Sequence, residues 1–306
     1  MGETALVGVL LCAFQIKIGS RKSAQNNIFN TRAPLLIETR MAQYRDDWDS
    51  VMFRDNDSVA IKVGQRLGVP FTRSMQEKVD IKLTIPPSPS DTDTSNPPHS
   101  NQHRVLSVFQ DQAGLTAISG VVWDCALLFT DYILQTCACR TEDDGMCILD
   151  IGCGTGVCGL VALHTHPKCS VMFTDRYLSH SLENNLDTLD AHAKTRCEFC
   201  EYDWSSPSSY PPFLIVERHY DLVCCSDVLY DKAYHTHLLH MLASLSYTKM
   251  VFAYKKRHPV EERKFFQQLS LACKLCVLDP DTLCKVNVTE DMARSGLYIV
   301  VAEKIV

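Results

Sequence analysis

The sequence predicts an α/β domain: a seven-stranded, mostly parallel sheet with helices on both faces and its last strand antiparallel, preceded by a small N-terminal β-hairpin extension. Three observations predict it. From residue 119 onward, short apolar runs alternate with stretches of helical periodicity. A glycine-rich segment stands where the first of those runs turns into a helix. The final run, Leu297 to Ala302, has no helix after it and can insert antiparallel.

Residues 1–40 read as a disordered or presequence-like extension. Ala5 to Phe14 is apolar but too short to span a bilayer, and Glu3 stands where a secretory leader carries positive charge. Lys17, Arg21, Lys22 and Arg32, with no acid between Glu3 and Glu38, have the bias of a mitochondrial presequence. Leu6 occupies the place where myristoylation requires Ser or Thr. Met41 opens a segment resembling an ordinary soluble N-terminus.

Within residues 41–118, Val79 to Ile85 alternates apolar and polar positions, as does Val105 to Gln110 in part, which predicts a hairpin. Pro86 to His103 is rich in Pro, Ser, Thr, Asp and Asn and reads as a disordered loop.

The α/β domain proper is read as 119–306. An apolar helical run from Val121 to Leu128 continues through Tyr132 and Ile133. Strands follow at Cys147 to Ile151, Val171 to Thr174, Cys197 to Tyr202, Asp221 to Cys225 and Met250 to Tyr254, with a further strand-like run at Lys274 to Val277. Helices are expected at Val157 to His164, through Leu182 and Leu186, and near Tyr234 to Leu245 and Pro259 to Leu271. This alternation implies right-handed βαβ crossovers.

A hydrophobic content of 46% over 306 residues suffices for one large core with an appendage. A net charge of -6 gives no global attraction to a phosphate backbone, so no nucleic-acid partner is expected. No membrane partner is expected either. The 15 cysteines sit in apolar runs such as Cys224-Cys225, which fits thiols in a reducing compartment. A cytoplasmic or nuclear location follows, with the mitochondrion as the minority alternative. Cys197/Cys200 and Cys273/Cys276 have zinc-like spacing but fall in or beside strands, and no two of His235, His237 and His240 are four apart. No metal is expected.

The strongest local signal is Leu149-Asp150-Ile151-Gly152-Cys153-Gly154-Thr155-Gly156 at a strand-to-helix turn. Glycines there allow positive φ and close approach of a ligand. A dinucleotide fingerprint needs Gly or Ala where Val157 stands, so the pattern is Gly-x-Gly-x-Gly, the form seen in methyltransferases. Asp175, at the end of the next strand, is placed to accept both hydroxyls of a cofactor ribose.

At this level the sequence resembles the family-16 methyltransferases, Rossmann-like seven-strand enzymes that mostly methylate protein lysines. The resemblance runs from about Gly120 to the C-terminus. Gly120-Val121-Val122-Trp123-Asp124-Cys125-Ala126 looks like the family's Trp motif, Gly152-Cys153-Gly154 its glycine loop, and Thr174-Asp175 its ribose acid. Tyr202-Asp203-Trp204 looks like its third-strand motif, Ser226-Asp227-Val228-Leu229-Tyr230 its Asp-x-x-Tyr motif, and Tyr254-Lys255-Lys256-Arg257 with Phe265-Phe266 its strand-five segment. The loop departs from the commoner Glu-Leu-Gly-Ala-Gly, and Ser226 replaces a usual Ala or Gly.

The resemblance implies S-adenosyl-L-methionine as cofactor, held by Trp123, Gly152, Cys153, Gly154, Asp175, Trp204 and Ser226. It implies Asp227 and Tyr230 as catalytic: Asp227 attracting the lysine ammonium, Tyr230 adding an aromatic wall and a hydroxyl. A helix cap near Asp231 is the structural alternative for Asp227. The implied partner is a protein substrate, a chaperone or translation factor, met by a monomer. Two other functions remain open: methylation of a small molecule or another residue type, and cofactor binding without turnover. Asn96-Pro97-Pro98-His99 is similar to an amide-methylating motif but precedes the glycine loop, whereas that motif follows strand four.

Overall fold

The computed structural model describes residues 44–53, 76–85, 102–111, 118–137, 145–206, 218–278, 283, 286–289, 292 and 296–305. The apolar and basic stretches before residue 44, the segment 86–101 and the Asn96 to His99 motif lie outside the described residues.

The strands are β1 (Tyr44–Arg45), β2 (Lys78–Ile85), β3 (Gln102–Phe109), β4 (Met146–Ile151), β5 (Cys169–Asp175), β6 (Cys197–Glu201), β7 (His219–Ser226), β8 (Ser246–Lys255), β9 (Cys273–Leu278) and β10 (Leu297–Lys304). The helices are α1 (Trp48–Met52), α2 (Asp124–Cys137), α3 (Val157–Thr165), α4 (His180–Asp187), α5 (Ala191–Lys194), α6 (His235–Ser244) and α7 (Pro259–Leu269).

The main sheet runs in the order β1-β9-β10-β8-β7-β4-β5-β6. Its pairs β6–β5, β5–β4, β4–β7 and β7–β8 are parallel. β10 inserts antiparallel between β8 and β9. These seven strands are the sheet expected from the sequence, and the two-residue β1 adds an eighth along β9, pairing Tyr44 with Leu278 and Arg45 with Val277. The central strands are apolar on both faces because helices cover both. Ile148, Cys224, Val251 and Val301 face one core with α2 and α3. Leu149, Val223, Phe252 and Val300 face the other with α6 and α7.

β2 and β3 form the expected hairpin in continuous register from Lys78↔Phe109 to Ile85↔Gln102. Gln102 and His103, expected in the disordered loop, belong to β3, because they pair with Ile85 and Thr84. The hairpin's inner face, with Val79, Ile81, Leu83, Leu106 and Val108, joins the core beneath α2 and α3. Two asparagines tie it down. Asn287 donates to the Lys82 carbonyl and accepts from its N–H, while Asn185 does the same at Phe109 and also donates to the Thr155 carbonyl. The hairpin is thereby bonded to the glycine-rich turn.

The segment 44–53 was not expected as structure. Beyond β1, Met52 and Phe53 are buried, Trp48 packs on Phe266 with ring centroids 6.1 Å apart, and Arg263 pairs with Asp49. Among the described residues no helix is long and apolar enough to cross a membrane.

Candidate active site

β4 ends at Ile151 and the chain turns through Gly152 and Gly154, both left-handed at φ 60° and 57°, before α3 begins at Val157. A Cβ on Gly152 would lie 3.2 Å from the Trp204 ring, and one on Gly154 would lie 3.0 Å from the Ser119 carbonyl oxygen. Glycine at both positions therefore serves conformation and close approach together. The Cys153 N–H donates to the Thr174 carbonyl, and the Gly154 N–H donates to Asp175 Oδ2 at 2.8 Å, so the turn is bonded to the end of β5. Beneath the turn Asp150 is buried, which pushes its carboxyl up to about 7 despite the N–H it accepts from Gly159.

The turn floors a cavity of about 470 Å³, within the range of small-molecule sites. Trp123, Gly152, Cys153, Gly154, Asp175, Trp204, Ser226, Asp227 and Tyr230 all line it. Trp123, expected inside an apolar helix, stands one residue before it. The helix starts at Asp124, and the Trp123 carbonyl accepts the Ala126 and Leu127 N–H groups. Its indole Nε1 donates to the Ile118 carbonyl at 2.9 Å, which fixes the ring at the cavity wall. Trp204 covers Gly152, beside an ion pair between Arg176 and Asp203.

Asp175 is largely enclosed, and burial raises its carboxyl while the Gly154 and Arg176 N–H groups pull it down. Those two bonds use one acceptor position on each oxygen. A carboxylate oxygen has about two, so both remain able to accept hydroxyls.

Asp227, at φ 56°, is the one non-glycine left-handed residue among the described residues. Its carboxylate is held by Arg257, Nη1 to Oδ1 at 2.6 Å and Nη2 to Oδ2 at 2.7 Å. Asp227, expected to attract a lysine ammonium, is thus not without a cation: Arg257 already pairs with it. Nor does it cap a helix: Asp231 accepts the Ala233 N–H at the turn that precedes α6. Tyr230 lies three residues on at the cavity edge, 38% exposed, its phenol pushed up by burial and by the neighbouring Asp175 carboxylate. The sequence reading missed Tyr177, Tyr234 and Arg257 as lining residues. The signal for Arg257 was present in Tyr254-Lys255-Lys256-Arg257, a segment carrying no assigned role.

The sequence profile of the lysine methyltransferase family matches residues 100–272, more than half of the chain. The chain belongs to the lysine methyltransferase family. It is also similar to a UPF0665 family protein of Schizosaccharomyces pombe, 25% identical over 166 residues, which are 50% of this chain and 47% of that protein. The chain thus matches about half the length of that curated relative.

Among solved structures it is similar to the magnesium protoporphyrin IX methyltransferase of Synechocystis with bound SAM, at a TM-score of 0.41 and 14% identity, covering 59% of this chain and 80% of that one. It is similar to human methyltransferase-like protein 13 in complex with SAH, at a TM-score of 0.35 and 13% identity, covering 60% and 79%.

S-adenosylmethionine is the methyl donor that membership of this family implies. The residues present fit that group: two indoles for an apolar cleft, acceptor positions on Asp175 for ribose hydroxyls, and side-chain-free backbone at Gly152 and Gly154.

Proposed function

We propose that this chain transfers a methyl group from S-adenosylmethionine to a lysine side-chain amine of a protein. The observation that carries the reading is an aromatic rim: Tyr177, Tyr230 and Tyr234 line the cavity, and Tyr177 and Tyr230 are 43% and 38% exposed. Such a rim accommodates an aliphatic stem and attracts a cationic head through ring faces. The family description points the same way.

In this reading Trp123 would lie against the cofactor, Trp204 would flank its adenine, Asp175 would take its ribose hydroxyls, Cys153 with the two glycines would line its methionine end, and Ser226 would close the floor. When bound, the cofactor would supply a methyl on a sulfonium: the neutral amine's lone pair would form the new carbon–nitrogen bond as the carbon–sulfur pair stays on sulfur, and the methylated ammonium would then release a proton to water. Catalysis by the protein is then chiefly alignment. A free lysine is protonated below about pH 10.4, so the amine must lose its proton before transfer. Enclosure of the amine inside the cavity, past the rim and away from water, favours that loss by disfavouring the charged form. The Tyr230 hydroxyl, whose raised pKa keeps it protonated at neutral pH, orients the departing proton's water without itself acting as a base.

The test is incubation of the purified chain with methyl-labelled S-adenosylmethionine and a protein lysate. Label recovered as methyl-lysine after acid hydrolysis supports the reading. Label confined to small solutes, or cofactor binding with no transfer, overturns it. Tyr230→Phe should lower turnover by roughly tenfold, a loss far short of one for a removed aligning group.

A further inference from the structure

Arg257 forms a two-point fork on Asp227, and both side chains are almost fully enclosed, 10% and 7% exposed. The fork is itself fixed. Arg257 Nη1 also reaches the Lys255 carbonyl, and the Arg257 N–H donates to Glu262 Oε1 at 2.8 Å, which accepts the His258 N–H as well. Burial alone would depress the guanidinium's pKa, and the Asp227 carboxylate, together with smaller contributions from Cys125 and Glu262, offsets it, so it stands above its ordinary value. Asp227 meanwhile donates its N–H to the Ala253 carbonyl at 2.8 Å while holding a left-handed backbone. Asp is among the few side chains that reach that conformation readily, and here the fork and the Ala253 bond hold it there. From Asp227 the chain runs directly through buried Val228 and Leu229 to Tyr230.

We propose that Arg257 is a positioning residue for methyl transfer: its fork holds Asp227 and with it the turn to Tyr230, so that the acceptor meets an aligned turn and a neutral ion pair rather than a free carboxylate. The inference rests on the reading that this wall receives the acceptor, and it does not depend on the acceptor being lysine. A planar fork fixes a carboxylate in direction as well as distance, which a lysine point charge does not. The nearest other cation on the strand, Lys255, is 3.9 Å from Asp124 and so serves a different acid.

The experiment measures methyl transferred from labelled S-adenosylmethionine into whichever fraction of a lysate takes it, protein or small solute. Label in small solutes would defeat the lysine reading and leave this measurement intact. Arg257→Ala should lower turnover at saturating cofactor by about 100-fold, the scale of a lost aligning group, with cofactor affinity within about threefold. Guanidinium chloride below its denaturing range should restore part of that turnover, and sodium chloride at equal ionic strength should not. Arg257→Lys should remain impaired.

Because Arg257→Ala strands a buried carboxylate and can unfold the chain, the neutral double variant Asp227→Asn with Arg257→Met is measured beside it. A folded double variant that stays slow supports the proposal. Full turnover in that variant, or a loss in Arg257→Ala matched by an equal loss of cofactor affinity, overturns it.

Discussion

Asp175 Oδ2 accepts the Gly154 N–H at 2.8 Å, joining the end of β5 to the turn after β4 through a single carboxylate. One oxygen thus shapes the turn while the carboxylate keeps acceptor positions for a ligand. Asp175→Asn keeps one carbonyl oxygen and replaces the other with a donor. It cannot satisfy both the Gly154 and Arg176 N–H groups. Cofactor affinity should fall by at least about tenfold in Asp175→Asn, since a hydrogen bond to a charged group contributes roughly 1.5–3 kcal/mol, and further in Asp175→Ala. Titration calorimetry on folded variants checks the order. Equal affinity in all three proteins would remove Asp175 from the cofactor site.

Gly154 makes a second, independent test of the same turn. A side chain there meets both a left-handed backbone and the Ser119 carbonyl oxygen at 3.0 Å. Gly154→Val should therefore abolish measurable S-adenosylmethionine binding, and it should also cost stability, because Ser119 must move as well. Thermal melting beside calorimetry separates the two effects. A folded variant with unchanged affinity would refute the glycine-loop assignment.

The legibility of this site in the sequence was uneven for physical reasons. Gly152, Gly154 and Asp175 were readable because turn conformation and a strand-end acid leave a local spacing signature. The parallel core was readable because strands such as Leu222–Cys225, buried on both faces, are uniformly apolar. The Asp227–Arg257 pair was not readable as a pair. Its members lie 30 residues apart on neighbouring strand ends, and which carboxylate a guanidinium meets is fixed by sheet order rather than by spacing. The 44–53 segment escaped for a similar reason. Two residues of strand and five of helix carry too little periodicity, and their burial comes from Phe266 and strand β9.

That segment predicts a boundary for truncation. A chain starting at Met41 retains β1, α1 and the Met52 carbonyl that accepts Lys256 Nζ at 2.8 Å, and should keep full activity. A chain starting at Arg54 loses two buried side chains, Met52 and Phe53, each contributing about 1.5–3 kcal/mol. Its melting temperature should drop by about 10 °C, at roughly 2–4 °C per kcal/mol for a domain of this size. Equal melting of the two truncations would mean the segment does not pack on α7.

Glu262 gives the pH dependence. It is fully buried, its Oε1 accepts the Arg257 and His258 N–H groups, and its Oε2 has no hydrogen-bond partner among the described residues. Burial pushes its carboxyl from 4.5 up to about 7, against the pull of those N–H groups. Between those two pH values the folded chain holds a proton that the unfolded chain has released. The stability this group contributes is therefore fully present below pH 4.5 and is lost as pH rises to about 7. Glu262→Gln keeps the accepting oxygen and cannot ionise. The melting temperature of the variant minus that of the wild type should therefore increase from pH 5 to pH 8 by about 5–10 °C, from about 1.4 kcal/mol per pH unit of displacement. Calorimetric scans across that range decide it. A difference that stays flat with pH would show that Glu262 is ionised in the folded chain throughout and that the Arg257 loop carries its charge.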